Sequence, residues 1–157
     1  IQLCGVEMYY EFIDNLFFLE KFSRKYNYKI LIKLHPSAYS QIEMLKKIFT
    51  KLQFSKKKIS STFKNILATI SFSSTVIEDS LNSNCPVILL DRWKRYKHCE
   101  AEENCSTKDS PIYYVNDEEN LAKCLQTIKL SNNINFKKCV TSSNYSKNIN
   151  DFFKNFF

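Results

Sequence analysis

Glycine is almost missing from this chain: Gly5 is the single one among 157 residues. A dinucleotide fingerprint and a P-loop each need several glycines, so that the backbone can turn tightly and approach phosphate; both are excluded. Any phosphate bound here has to be met by side chains and helix N-termini. Long apolar runs are lacking too. No stretch approaches the roughly 20 apolar residues that cross a bilayer. The opening "IQLCGVEMYY" has no basic segment followed by an apolar one, so no signal peptide is legible. The chain does not begin with Met, as expected of a piece of a longer protein.

Paired cysteine spacing is also lacking. Six cysteines lie at 4, 85, 99, 105, 124 and 139 and form no CxxC. Cys4, Cys85 and Cys124 sit within or beside apolar segments, as free buried thiols do. The set reads as the reduced thiols of a cytoplasmic protein. A zinc site can be drawn from His98, Cys99 and Cys105, but the four-ligand spacing of structural zinc is missing, and neither metal nor cofactor is expected.

What is present points to a folded chain. The length suits one domain with a true core. Apolar residues at 44% and charged residues at 25% argue against disorder. The net charge of +7 favours anionic partners: nucleotides, nucleic acid or an anionic membrane surface. Lysine and asparagine richness equally fits the bias of an AT-rich genome, in which case the charge carries no functional meaning.

Read along the chain, "IQLC" suggests a short strand. Met8, Phe12, Leu16 and Leu19 then space a helix from Glu7 to about Tyr26. "KILIKL" (29–34) is a strand, and Pro36 after it holds His35 extended. Ile42, Leu45, Ile48 and Phe49 predict a helix over 39–52, and "KKKISST" suggests a short strand. "FKNILA" fits a helical turn or two. "ATISF" is a strand, "STVIEDSLNSN" a helix, "PVILLD" an apolar and therefore central strand, and "PIYYV" a strand. "DEENLAKCLQTIKL" is a helix opened by acids, as the helix dipole favours. The tail beyond residue 130 is less regular and ends in "NINDFFKNFF", read as a final helix. Alternating strands and helices, with strands apolar at nearly every position, predict a Rossmann-like three-layer α/β/α domain over 1–157 with a mainly parallel sheet.

Ligands of open parallel sheets bind beyond the carboxyl ends of the strands. His35 lies there for "KILIKL", and Ser71, Ser73, Ser74 and Thr75 lie there for "ATISF". As parallel members of one sheet, the two strands would open both groups on the same edge. Serine hydroxyls, helix N–H groups and an imidazole together make a phosphate cradle without glycine. A plainer account exists for part of it: Thr75-Val76-Ile77-Glu78 has the form of a capping box, which uses Thr75 and Glu78 without a ligand. A His before a proline can also simply pin a turn.

These residues resemble a known pattern. "KLHP", then a strand–"SST"–helix unit with "IEDSL", then "CPVILLD" is similar to the donor-binding, C-terminal half of GT-B glycosyltransferases of the bacterial surface-polysaccharide type. That group includes sialyltransferases and polysialyltransferases with HP and paired Ser/Thr motifs, and CDP-glycerol glycerophosphotransferases. The resemblance covers roughly residues 1–130. It implies one half of a GT-B fold and an inverting transfer from a CMP-sugar or CDP-glycerol donor to a glycan or glycolipid acceptor, with loss of a cytidine nucleotide and no required metal. It implies that His35 contacts the donor phosphate or assists the leaving nucleotide, that Pro36 fixes its loop, that Ser73 and Ser74 hold phosphate at the helix N-terminus, and that Glu78 reaches a ribose hydroxyl; Ser71 and Thr75 join the phosphate-binding candidates by their place at the strand end. With the reduced thiols and the basic balance, a cytoplasmic protein, peripheral at the inner face of the membrane where it meets an anionic surface, is expected. The half that would supply the acceptor-side base has no counterpart here, so the chain alone is expected to be catalytically incompetent.

"DRWKRYKH" (91–98) interleaves basic residues with Trp93 and Tyr96. It follows "PVILLD" and so belongs to the carboxyl edge, where Arg92, Lys94 and Arg95 are candidates for acceptor or phosphate contact. The same composition suits single-stranded nucleic acid or an anionic membrane surface. A nucleotide- or nucleic-acid-binding α/β domain without transferase activity, and a nucleotide-sugar epimerase, remain the alternatives.

Overall fold

The computed structural model describes residues 2–58, 62–71, 75–95 and 97–136, with backbone alone at 2–8 and 64. The chain forms two compact units, Ile1–Ile59 and Ser60–Phe157.

The first unit opens with helix α1, Gln2–Tyr26. The strand predicted for "IQLC" is therefore corrected: residues 2–4 are helical. The four-residue spacing Cys4–Met8–Phe12–Leu16 carries the apolar stripe back into the first turn. Leu16, Leu19 and Phe22 are buried. Phe22 packs its ring on Tyr26 and Tyr28, at centroid distances of 4.7 and 5.8 Å. Arg24 and Lys25 suit the negative end of the helix dipole, and Asn27, at φ 57°, takes the left-handed turn that ends it. Strand β1, Ile30–Lys33, follows. His35 then caps a 3-10 helix, Pro36–Gln41, which leads into helix α2, Ile42–Ile48.

Strand β2, Leu52–Ser55, comes next. The helix predicted for 39–52 is thus shorter as an α-helix, Ile42–Ile48, and its first residues belong to the 3-10 helix that starts at the His35 cap; Phe49 (φ −107°, ψ 85°) has left it. A capped proline starts a helix more firmly than an apolar stripe does. The predicted strand "KKKISST" is corrected as well: residues 56–58 and 62 are not strand, and 59–61 lie outside the described residues. The strand is the preceding "LQFS", whose alternating pattern is too short to stand out beside a helical stripe. β1 and β2 pair in parallel, Ile30 opposite Leu52 and Lys33 opposite Ser55. Glu20 of α1 is buried, and its carboxylate accepts from the Lys51 backbone N–H at 3.0 Å and from Arg24, which fixes the helix to the start of β2.

The second unit carries a one-turn 3-10 helix at Phe63–Asn65, strand β3 at Thr69–Ser71, helix α3 at Val76–Asn82, strand β4 at Val87–Leu90, strand β5 at Ile112–Val115 and helix α4 at Glu118–Leu130. β4 is central, between β3 and β5, and all pairs are parallel. All four of its residues are buried, as its unbroken apolar sequence predicts. Val87, Leu89 and Ile112 form a core with Ile77 and Leu81 of α3. Tyr113 and Val115 point to the opposite face, where Cys124 of α4 neighbours Tyr113. Truncating Leu89 to Ala in this core would cost about 2–5 kcal/mol. The outer edge of β5 is bridged by Glu102, whose N–H reaches the Ile112 carbonyl at 2.9 Å. Asp117 caps α4 through Oδ1, which accepts from Asn120 N–H at 2.7 Å.

Both sheets are wholly parallel, and a helical segment follows every strand except β4, which reaches β5 without one among the described residues, so the fold class is the α/β, Rossmann-like one that the sequence predicts. Double-sided burial holds for β4 but not for β1, where Leu31 is 41% exposed. The final helix predicted in "NINDFFKNFF" lies outside the described residues. No helix among the described residues is long and apolar enough to cross a membrane.

Candidate functional site

β1 pairs with β2 and β3 pairs with β4, so His35 and Ser71 stand at the carboxyl edges of two different sheets. Each edge is built separately.

In the second unit Ser71 closes β3 opposite Leu89, and Leu90 lies opposite Val115. The parallel register therefore brings Ser71 and Asp91 to one carboxyl edge. Ser71 is half-buried. Ser73 and Ser74 lie outside the described residues. Thr75 sits at the N-cap of α3 in a right-handed helical conformation, and its side chain makes no capping hydrogen bond. The capping box predicted for Thr75 and Glu78 is therefore not formed, because a cap needs the extended backbone that Thr75 lacks. Thr75 and Glu78 are both exposed.

Asp91 is the residue that sequence reasoning missed. It is fully buried at the end of β4, and its Oδ2 accepts from the Tyr114 hydroxyl at 3.0 Å. The signal was present as an acid closing an otherwise apolar strand. Burial and then this hydrogen bond push the Tyr114 phenol above its ordinary value. Asp91 also holds the chain that follows: its N–H donates to the Val115 carbonyl at 2.9 Å, and its carbonyl accepts from Lys94 N–H at 3.2 Å. Lys94 turns there at φ 53°, a left-handed conformation that costs a non-glycine residue about 1 kcal/mol or more.

That turn presents the basic loop. The guanidinium groups of Arg92 and Arg95 lie 5.3 and 5.4 Å from the Trp93 ring, which is 41% exposed. Lys94 and Arg95 are exposed and Arg92 is half-buried. Lys97 pairs with Glu103, and its ammonium lies 5.7 Å from the Tyr114 ring. The predicted Arg92, Lys94 and Arg95 thus follow the carboxyl end of the central strand. Tyr96 lies outside the described residues.

In the first unit His35 is exposed and acts as the N-cap of the 3-10 helix, with Pro36 at its first position. Nδ1 accepts from Ser37 N–H at 3.3 Å and lies 2.8 Å from Ser37 Oγ. The neutral ring therefore carries its proton on Nε2, which is the donor a phosphate oxygen could use.

Among the described residues no group of three His, Cys, Asp or Glu side chains is placed to hold a metal ion. Cys105, one corner of the imagined zinc site, is buried, and its thiol donates to the Glu103 carbonyl at 3.7 Å. A cavity of about 710 Å³ opens at the amino end of β5, lined by Glu100, Glu102, Asp109 and Asn133 among others. It contains none of the predicted site residues. Comparison of this chain with protein-family models, with curated proteins and with solved structures finds no match.

Proposed function

We propose that this chain binds a cytidine-nucleotide-activated donor, a CMP-sugar or CDP-glycerol, as the donor-side domain of a surface-polysaccharide or glycolipid glycosyltransferase. The observation that supports this reading is the placement of Ser71, followed by Thr75, at the carboxyl edge of a wholly parallel three-stranded sheet. Parallel sheets bind ligands at that edge. Hydroxyls there donate to phosphate oxygens without bulk, which a chain with a single glycine needs. The loop held by Asp91 adds Arg92, Lys94 and Arg95 on the same edge as positive charge for a phosphate or an acceptor. Ser73, Ser74 and Glu78 enter through the resemblance as phosphate and ribose contacts. His35 and Pro36 also enter through the resemblance alone and are tested separately. Turnover requires an acceptor-side base from outside these residues.

Calorimetric titration of the chain with CMP and CDP tests this. Binding that falls on Ser71→Ala supports it; absence of cytidine-nucleotide binding, or binding indifferent to Ser71→Ala, refutes it. The flanking of Trp93 by two guanidinium groups favours a second reading, a single-strand nucleic-acid platform on which bases stack. Oligonucleotide binding with steep salt dependence, lost in Trp93→Ala, would select it.

A further inference from the structure

Lys33 ends β1 opposite Ser55, and Lys56 follows Ser55 at the end of β2. The 3-10 helix brings Tyr39 to both. The Lys33 ammonium donates to the Tyr39 hydroxyl at 2.8 Å, and that hydroxyl donates to the Lys56 carbonyl at 3.2 Å. The two ammonium nitrogens lie 5.2 and 5.8 Å from the Tyr39 ring centroid. Lys33 and Tyr39 are half-buried and Lys56 is exposed. Neither lysine forms an ion pair among the described residues. Glu43 is the carboxylate that senses Lys56, but its hydrogen bond goes to Lys46.

We propose that Lys33, Tyr39 and Lys56 form a binding site for a phosphate-type polyanion at the carboxyl edge of the β1–β2 sheet. Two positive charges converge on one ring without a carboxylate bonded to either. Tyr39 fixes the half-buried ammonium, so less side-chain freedom is lost when an anion arrives. Lys33 gives Tyr39 one of its three protons and keeps two for oxygen ligands. Ammonium point charges suit phosphate, whose charge is spread over several oxygens. The edge is the one at which parallel strands take ligands. Lys33 opens the "KLHP" stretch, but none of the three residues is among the donor contacts of the nucleotide reading, and the site does not rest on that reading.

The probe is inorganic pyrophosphate, titrated calorimetrically into the chain at low ionic strength. Binding is expected, and Lys33→Gln and Lys56→Gln should each weaken it about tenfold, as loss of a charge-assisted hydrogen bond does. Lys129→Gln, an exposed lysine on α4, should leave it unchanged. No binding, equal binding by the Lys33 and Lys56 variants, or an equal loss in Lys129→Gln would overturn the proposal. If Lys33→Gln fails to fold, the exposed Lys56 decides alone. Pyrophosphate binding without cytidine-nucleotide binding removes the donor reading and keeps this site; cytidine-nucleotide binding lost in Ser71→Ala, with pyrophosphate ignored, does the reverse.

Discussion

The Tyr114 hydroxyl donates to Oδ2 of Asp91 at 3.0 Å and joins the ends of two adjacent parallel strands. Asp91 is fully buried, so the bond serves a group that water does not reach. The same aspartate anchors the turn of the basic loop through its backbone.

Tyr114→Phe should therefore lower stability by about 1–3 kcal/mol, the cost of depriving a buried acceptor of its donor. Urea denaturation measures it. Asp91→Asn keeps an acceptor oxygen for Tyr114 and should cost less. A Tyr114→Phe midpoint equal to wild type would mean that the carboxylate is fully served without the phenol.

Alkaline pH should unfold the second unit through Tyr113. This phenol is inaccessible and donates to the Thr107 carbonyl. Burial, first, and neighbouring acidic groups push it from 10.0 up to about 12. The native state thus keeps a proton that the unfolded chain releases. Its contribution is complete below pH 10.0 and is lost as pH rises through the folded value of about 12. The loss is roughly 2–3 kcal/mol at 1.36 kcal/mol per pH unit. Denaturation midpoints from pH 9 to 12 should fall, and Tyr113→Phe should flatten the fall; an equally steep fall in that variant would assign it elsewhere.

Two substitutions at His35 separate its cap from any ligand role. Nδ1 accepts from Ser37 N–H, and Asp at an N-cap offers the same acceptor. His35→Ala should cost about 1 kcal/mol of stability, and His35→Asp much less. The donor reading expects both to weaken cytidine-nucleotide binding. Wild-type binding by His35→Asp would leave the imidazole with the cap alone.

The described cysteines should differ sharply in alkylation. Burial raises the Cys85, Cys105 and Cys124 thiols above their ordinary value, Cys124 furthest. Cys99 is partly exposed. Iodoacetamide near neutral pH should modify Cys99 well before these three, because the thiolate is the nucleophile. Peptide mapping over time reads the order, and early labelling of Cys124 would mean that α4 opens readily.

Most of the strand–helix order, the central place of the "PVILL" strand and the acid-opened α4 were legible without coordinates; that Asp117 caps α4 was not. Each is written in a local pattern: an unbroken apolar run, or acids before a helical stripe. The boundaries around residues 36–55 were not, because a helical stripe and a four-residue strand compete over the same apolar positions. Among the candidate site residues, His35 and Ser71 were found at strand ends, as their positions after apolar runs dictate. Tyr114, Tyr39 and Lys56 were missed because none belongs to a motif; Lys33 and Asp91 lie inside quoted stretches, but their partners become visible only once the strands pair.

Outside residues 1–4 and 36–62, the sequence by itself determined which of the described segments become strands and helices, since the period of apolar residues is a property of neighbours in the chain. Only the tertiary structure decided which strands pair and in what register. It thereby set Tyr114 against Asp91 and laid two lysines around Tyr39. Those encounters join residues up to 23 positions apart, and their energy comes from burial and hydrogen bonds that exist only once separate segments have packed.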